Sequence, residues 1–301
     1  MLTGILAGLA AGALWGLVFV APNLVPNLGA VDLAAGRFAS YGLAAIFAMA
    51  VMRGPSRWPT WPQFRAALGL SLLGFSGYYL LLVLAIRDAG VEVPTLIIGT
   101  IPIWVMLLGK PQDLLWRSLL PGLLFTAVGV VLMAGAKADG FAIGAGVANG
   151  WLYWRGIGFA VLAMVSWTAF AVWNAAWLKR HPDVAVTDWT NWLGVGAGLA
   201  AVGLWGFLGS EPKTLLAHEN IAREAIVCIA TGVGSGWLAT VLWSVASRRL
   251  SVSLCGQLIV SETLFALLYA FVVQGNWPLP MQVLATIVFV VGIVASIRAH
   301  R

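Results

Sequence analysis

The sequence predicts an all-α polytopic membrane protein, with ten transmembrane helices arranged as two inverted five-helix repeats. Three observations lead there: charge is scarce, apolar runs near twenty residues recur along the chain, and each half holds an odd number of them. Of the 301 residues, 61% are hydrophobic and only 9% charged, with a mean hydropathy of +0.93. A soluble domain carries roughly a quarter charged residues, so most of this surface must face lipid or protein.

The runs fall at about 2–21, 31–52, 66–86, 91–109, 117–136, 156–178, 186–208, 225–246, 251–273 and 279–298. The first has no Lys or Arg ahead of it and exceeds the core of a secretory signal, so it is expected to be a retained helix. Prolines and charges punctuate the rest, from Pro22 and Pro26 to the Gly275–Pro280 stretch. With the N-terminus inside, the cytoplasmic segments hold Arg53, Arg57, Arg65, Lys110, Arg117, Lys179, Arg180, Arg248, Arg249, Arg298 and Arg301. The other side holds Arg87, Lys137, Arg155, Lys213 and Arg223. This asymmetry predicts a bacterial inner (plasma) membrane protein with both termini cytoplasmic. Trp58, Trp61, Trp116, Trp151, Trp154 and Trp277 stand at span ends, where indole prefers the headgroup layer.

The two halves echo each other. Leu14-Trp15-Gly16 lies midway along the first span, and Ser166-Trp167-Thr168 midway along the sixth. Thr100-Ile101-Pro102-Ile103-Trp104 matches Val260-Ser261-Glu262-Thr263-Leu264, and Asp32 matches Asp188. These matches set a first repeat over 1–140, a linker over 141–155 and a second repeat over 156–301. Five spans per half point the halves in opposite directions, an arrangement that puts a substrate site near the midplane.

The mid-helix Trp-Gly of the first span and the Pro102/Glu262 pair of the fourth and ninth resemble the drug/metabolite transporter superfamily, EamA type. More narrowly, the chain is similar to ten-helix bacterial exporters of aromatic amino acids. The resemblance implies a carrier with alternating access around a central cavity. One departure is that Thr263 follows Glu262, where that family often has Pro.

Glu262 is the sharpest single signal. Eleven residues into its span, at about 1.5 Å each, it sits near the centre of a hydrocarbon core about 30 Å thick. An ionised, unpaired carboxylate there costs a few kcal/mol. Glu262 is therefore either a proton-coupling or substrate-amine contact, or a hydrogen-bonded brace. Arg37 lies six residues into the second span, close enough to reach the outer interface by snorkelling. Its other options are pairing with Asp32 or binding a substrate carboxylate. Gly4, Gly8, Gly12 and Gly16 form a ridge for close helix approach, and Gly232, Gly236, Thr240 and Ser244 a small, weakly polar stripe.

Rings at mid-depth supply the candidate cavity: Trp15, Phe19, Tyr78, Tyr79, Trp104, Trp167, Trp192, Trp237 and Trp243, joined by Asn174 and Ser244. Polar-tipped aromatics suit a flat, amphipathic ligand. The histidines, His181, His218 and His300, fall in loops or the tail, so neither a catalytic triad nor a metal site is expected, and no cofactor. Cys228 and Cys255 sit in apolar runs as small hydrophobes. The basic balance, +6 at a pI near 9.7, forms no continuous face for nucleic acid. The expected partners are a small-molecule substrate and the lipid bilayer, with the chain acting as a monomer or homodimer. Export of neutral, particularly aromatic, amino acids leads; export of multiple drugs or cationic compounds is the alternative.

Overall fold

The computed structural model describes residues 1–19, 21–51, 58–89, 94, 97–109, 114–137, 150–274 and 280–300. Arg53, Arg57, Lys110, Trp277 and Arg301 of the charge and belt reading lie outside the described residues, as do 141–149 of the expected linker. All regular structure among the described residues is helical. In chain order the helices are α1 (Leu2–Gly16), α2 (Ala21–Leu24), α3 (Ala30–Val51), α4 (Trp61–Ser71) and α5 (Gly77–Ala89). Next come α6 (Ile101–Leu108), α7 (Trp116–Lys137), α8 (Gly150–Arg180), α9 (Val186–Leu208) and α10 (Pro212–Leu216). The last four are α11 (Ile221–Ala230), α12 (Ala239–Arg249), α13 (Val252–Gln274) and α14 (Pro280–Ala299). Among the described residues, five stretches are long and apolar enough to cross a membrane: Val31–Val51, Trp61–Ala85, Trp151–Arg180, Val186–Leu208 and Ile221–Arg249.

Several expected spans differ in detail, each for a local reason. The first does not run straight to residue 21. It passes into a 3₁₀ turn at Leu17–Phe19 and then into α2, because Pro22 has no N–H to continue the ladder. The fourth restarts at Ile101 after a turn at 99–100, with Pro102 in the first turn of α6, the position proline tolerates best. The sixth begins at Gly150, inside the segment expected as linker. There Arg155 makes a bidentate pair with Asp88 at the end of α5, at 2.7 and 2.9 Å. The third and eighth each contain a π-helical segment, Leu72–Ser76 between α4 and α5 and Thr231–Leu238 between α11 and α12. Upstream, α4 opens on a capping box in which Thr60 N donates to Gln63 Oε1 at 2.8 Å.

Among the described residues, the two larger of three apolar clusters carry most of the packing. One gathers residues of α1, α6, α12, α13 and α14, and the other residues of α3, α4, α8 and α9. Trp167 of α8 packs against both. The most extensive helix pairings are α3 with α9, α7 with α14, α5 with α8, and α1 with both α12 and α13. Glycine makes two of these possible. Along α1, a Cβ on Gly4, Gly8, Gly12 or Gly16 would run into Leu250, Leu258, Ser261 and Phe265 respectively. Where α3 crosses α9, a Cβ on Gly42 would lie 3.0 Å from Gly198 Cα, and one on Gly198 would lie 3.0 Å from Gly42 Cα. Each glycine stands twelve residues past the start of its helix. The crossing is therefore reciprocal, backbone against backbone.

Asp32, in the first turn of α3, ties that helix to the far end of α9. It accepts from Trp205 Nε1 at 3.1 Å, Ser210 N at 2.9 Å and Ser210 Oγ at 2.8 Å.

Gly42→Ala should lower stability by about 1–3 kcal/mol, the usual cost of overpacking, because only backbone could give way. Gly203→Ala, with open space around its Cβ, should be neutral or gain up to about 1 kcal/mol from helix propensity. Thermal unfolding of the purified variants in detergent checks both, and equal effects would refute the backbone crossing. A second expectation concerns Asp88, whose carboxyl the Arg155 hydrogen bonds hold below its ordinary pKa. The pair's contribution is therefore full above the unfolded value, near 4, and is lost as pH falls through the lowered one. Cysteine cross-linking between α5 and α8 across an acid titration should report release only below that ordinary value.

Candidate functional site

Arg37 and Glu262 are carried by α3 and α13. Arg37 sits where α3 meets the π-helical segment: the absent side chain of Gly232 admits the Arg37 carbonyl, Ser40 and Tyr41. Its guanidinium carbon lies 5.2 Å from the centroid of the Phe38 ring. Glu262 is admitted from the other side, since a Cβ on Gly12 would come within 3.1 Å of the Glu262 backbone nitrogen. The Arg37 charge acts on Glu262, Tyr79 and Tyr78, and the Glu262 charge on Tyr78. Arg37 thus turns into the bundle rather than out to the interface, and Asp32 is already engaged by Trp205 and Ser210.

Two features mark this as an internal opening rather than packed core. Arg37, Tyr78, Tyr79 and Glu262 lie deep in the protein, yet each keeps intermediate exposure. Furthermore, the two charges attract without touching. Among the described residues the ion pairs are Arg155–Asp88 and His218–Glu224, so neither Arg37 nor Glu262 is in contact with an opposite charge. Arg37 Nε is shielded and has no hydrogen-bond partner.

Three indoles from α1, α8 and α12 form a cluster. Trp15 and Trp243 have centroids 5.3 Å apart, and Trp167 lies 6.3 Å from each. Tyr78 packs against the larger apolar cluster to which Trp15 and Trp243 belong. The Trp243 Nε1–H is buried and has no partner, a donor left for an acceptor.

The remaining sequence candidates are placed elsewhere. Asn174 is fully buried and accepts from Trp189 Nε1 at 2.7 Å, while Trp192 packs edge-on to Trp177 and Trp189. Trp237 Nε1 donates to Asn191 Oδ1 at 2.7 Å, and Ser244 Oγ accepts from Thr190 Oγ1 at 3.3 Å. Trp104 is 43% exposed and donates to Thr100 Oγ1 at 3.2 Å. The Phe19 side chain lies outside the described ones. Sequence reasoning missed Phe38, Phe75 and Phe170, whose edge-to-face contacts run from Tyr79 to Trp167. Gly74, against whose Cα side the Phe170 ring lies, was the available signal. A separate cleft of about 340 Å³, lined by Ala66, Leu70, Trp173, Ala176, Trp177, Arg180 and His181, is remote from the charged pair. Among the described residues no cluster of His, Cys, Asp or Glu has the makings of a metal site.

An apolar helical bundle with charges turned to an internal opening defines a polytopic membrane carrier, and comparison with known proteins gives its family. The model of the EamA-like transporter family matches residues 154–298. Inner membrane protein YtfF of Escherichia coli (strain K12) is 30% identical over 322 aligned positions, covering 99% of this chain and 96% of that protein. The chain belongs to the EamA-like transporters of the drug/metabolite transporter superfamily. A crystal structure of another protein, 20% identical, superposes with a TM-score of 0.81 over 99% of this chain and 97% of that one. At that identity it speaks to the fold alone.

The hydrogen bond that Asn191 accepts from Trp237 gives it a structural role. Asn191→Ala should cost about 1–3 kcal/mol by orphaning the Trp237 indole, seen as a lower unfolding temperature in detergent. Trp104→Phe, at an exposed ring, should change it by no more than about 0.5 kcal/mol. Comparable losses in the two variants would contradict this placement.

Proposed function

We propose that this transporter exports neutral amino acids, aromatic ones above all, from the cytoplasm across a bacterial inner membrane. The observation carrying the reading is the cluster of Trp15, Trp167 and Trp243, in the same apolar core as Tyr78, which lies in the field of the interior charges. Indole and phenol rings at membrane depth offer a planar apolar substrate faces to pack on and hydrogen-bonding edges to orient it. The alternative, a carrier of cationic compounds, draws on Glu262. Arg37 counts against it, since its charge occupies the same opening and repels a lone cation.

The architecture behind this reading is ten spans in two inverted five-helix repeats, working by alternating access. Its support is the symmetry of the packing. Numbering the spans in order, an exchange that takes each span to the one five places on carries the third to the eighth and the sixth to the first, and the observed neighbours obey it. The third packs on the sixth as the eighth packs on the first, and the second crosses the seventh reciprocally at Gly42 and Gly198. Both termini are placed in the cytoplasm by the charge asymmetry. The inner-membrane relative in Escherichia coli supports the location.

Purified protein in proteoliposomes should show saturable flux of labelled phenylalanine that excess tryptophan blocks. An imposed pH gradient separates the two roles open to Glu262. Flux that follows the gradient, and loses that dependence in Glu262→Gln, makes it the coupling group; flux indifferent to the gradient makes the protein a facilitator. Absence of amino acid flux from folded protein, with saturable uptake of an organic cation instead, would replace the leading substrate by the alternative.

A further inference from the structure

Resting on the reading above, we infer that Arg37 and Glu262 are the two poles of a zwitterion site, taking the α-carboxylate and the α-ammonium of one substrate molecule. The inference turns on a mismatch. Each group feels the other's charge, yet no ion pair joins them among the described residues. Opposite charges that share a low-dielectric interior and serve only each other's stability close to contact, because the attraction grows steeply as distance and water are removed. A pair held apart beside an opening, with Arg37 Nε unpartnered, is arranged for something to come between them.

An α-amino acid fits that gap by its chemistry. Its carboxylate accepts from a guanidinium, and its ammonium donates to a carboxylate, each through a charge-assisted hydrogen bond of about 2.8 Å. One tetrahedral carbon separates the two groups, so a single small molecule spans both poles while its side chain points away. The side chain then points toward Tyr78, which packs on the apolar cluster that holds Trp15 and Trp243 and lies within the field of both charges. The bound molecule is also electrically neutral, so carrying it does no work against the membrane potential. A lone amine or a lone acid would leave one pole unanswered and would carry net charge.

The test uses three ligands that differ only in these groups: L-phenylalanine, phenethylamine, which lacks the carboxylate, and 3-phenylpropionate, which lacks the amine. Competition against labelled phenylalanine on the full-length protein in nanodiscs gives their relative affinities. Wild-type protein should prefer phenylalanine about 10- to 100-fold over either analogue, the range expected for one hydrogen bond to a charged group. Arg37→Gln should abolish the preference over phenethylamine and keep that over 3-phenylpropionate, with Glu262→Gln doing the reverse. Arg37→Lys should retain part of the discrimination and guards against a variant that fails to fold. Saturable phenylalanine binding without discrimination, or discrimination unchanged in either folded Gln variant, overturns the zwitterion site and leaves the exporter reading standing. Absence of phenylalanine binding overturns both.

Discussion

An ionised side chain inside a bilayer must be turned toward protein or water, and that requirement organises the centre of this molecule. Arg37 and Glu262 come from helices far apart in the chain, and each would be costly against lipid. Directed inward, they need a space that neither packs shut nor opens to hydrocarbon. The surrounding elements supply it: α1 and α13 close one side, α3 and the Thr231–Leu238 segment another, and α5 brings the tyrosines. The half-buried state of all four polar side chains follows from that enclosure.

Backbone proximity is what makes the enclosure tight enough. With no hydrophobic gain from associating apolar helices in lipid, van der Waals contact and hydrogen bonds must do the holding. Glycine at every fourth position of α1 lets Ser261, Glu262 and Phe265 approach its backbone. Hydroxyls then tie helix to helix where that approach is close. Ser235 Oγ donates to Leu14 O at 2.6 Å, Ser166 Oγ to Leu73 O at 2.7 Å, and Tyr41 OH to Thr190 O at 2.9 Å. The same small residues that pack the bundle therefore set the depth at which Glu262 and Arg37 stand.

Much of this was legible in the sequence, and the part that was not has a definite cause. Composition and run length give the membrane class, because twenty apolar residues have few other fates. The glycine ridge of α1 reads directly, since four-residue spacing fixes a face whatever it packs against. Glu262 reads as interior because burial cost alone singles it out. Arg37 does not, because depth near a helix end allows both an outward and an inward course, and only the partner on α13 decides between them. The mid-depth rings divide for a related reason. Depth places Trp167, Asn174, Trp192 and Trp237 equally inside, but whether an indole faces an opening or an asparagine depends on the neighbouring helix. Asn191 engages the indole of Trp237, and the Trp189 indole engages the Asn174 oxygen.

The tyrosines show where helical periodicity itself misleads. Tyr78 and Tyr79 follow directly on the π-helical segment Leu72–Ser76. A π turn holds an extra residue, and each residue of an α-helix advances the side chains by about 100°. Every position after the segment is therefore re-aimed relative to those before it, and a face traced from α4 points the wrong way in α5. The Thr231–Leu238 segment has the same effect upstream of Trp243, so that two of the site's aromatic contributions depend on a register that regular counting misses. The first segment ends at Ser76, just before Gly77, and the second contains Ser235-Gly236, and in both the serine hydroxyl donates to a carbonyl of another helix, Ala197 and Leu14. Glycine relaxes the backbone where the extra residue is accommodated, and the serine contact fixes the widened turn to its neighbour. The irregular turns are thus part of what aims the site, which is why a regular helix with the same apolar pattern would not bring Tyr78 and Trp243 into the same apolar cluster.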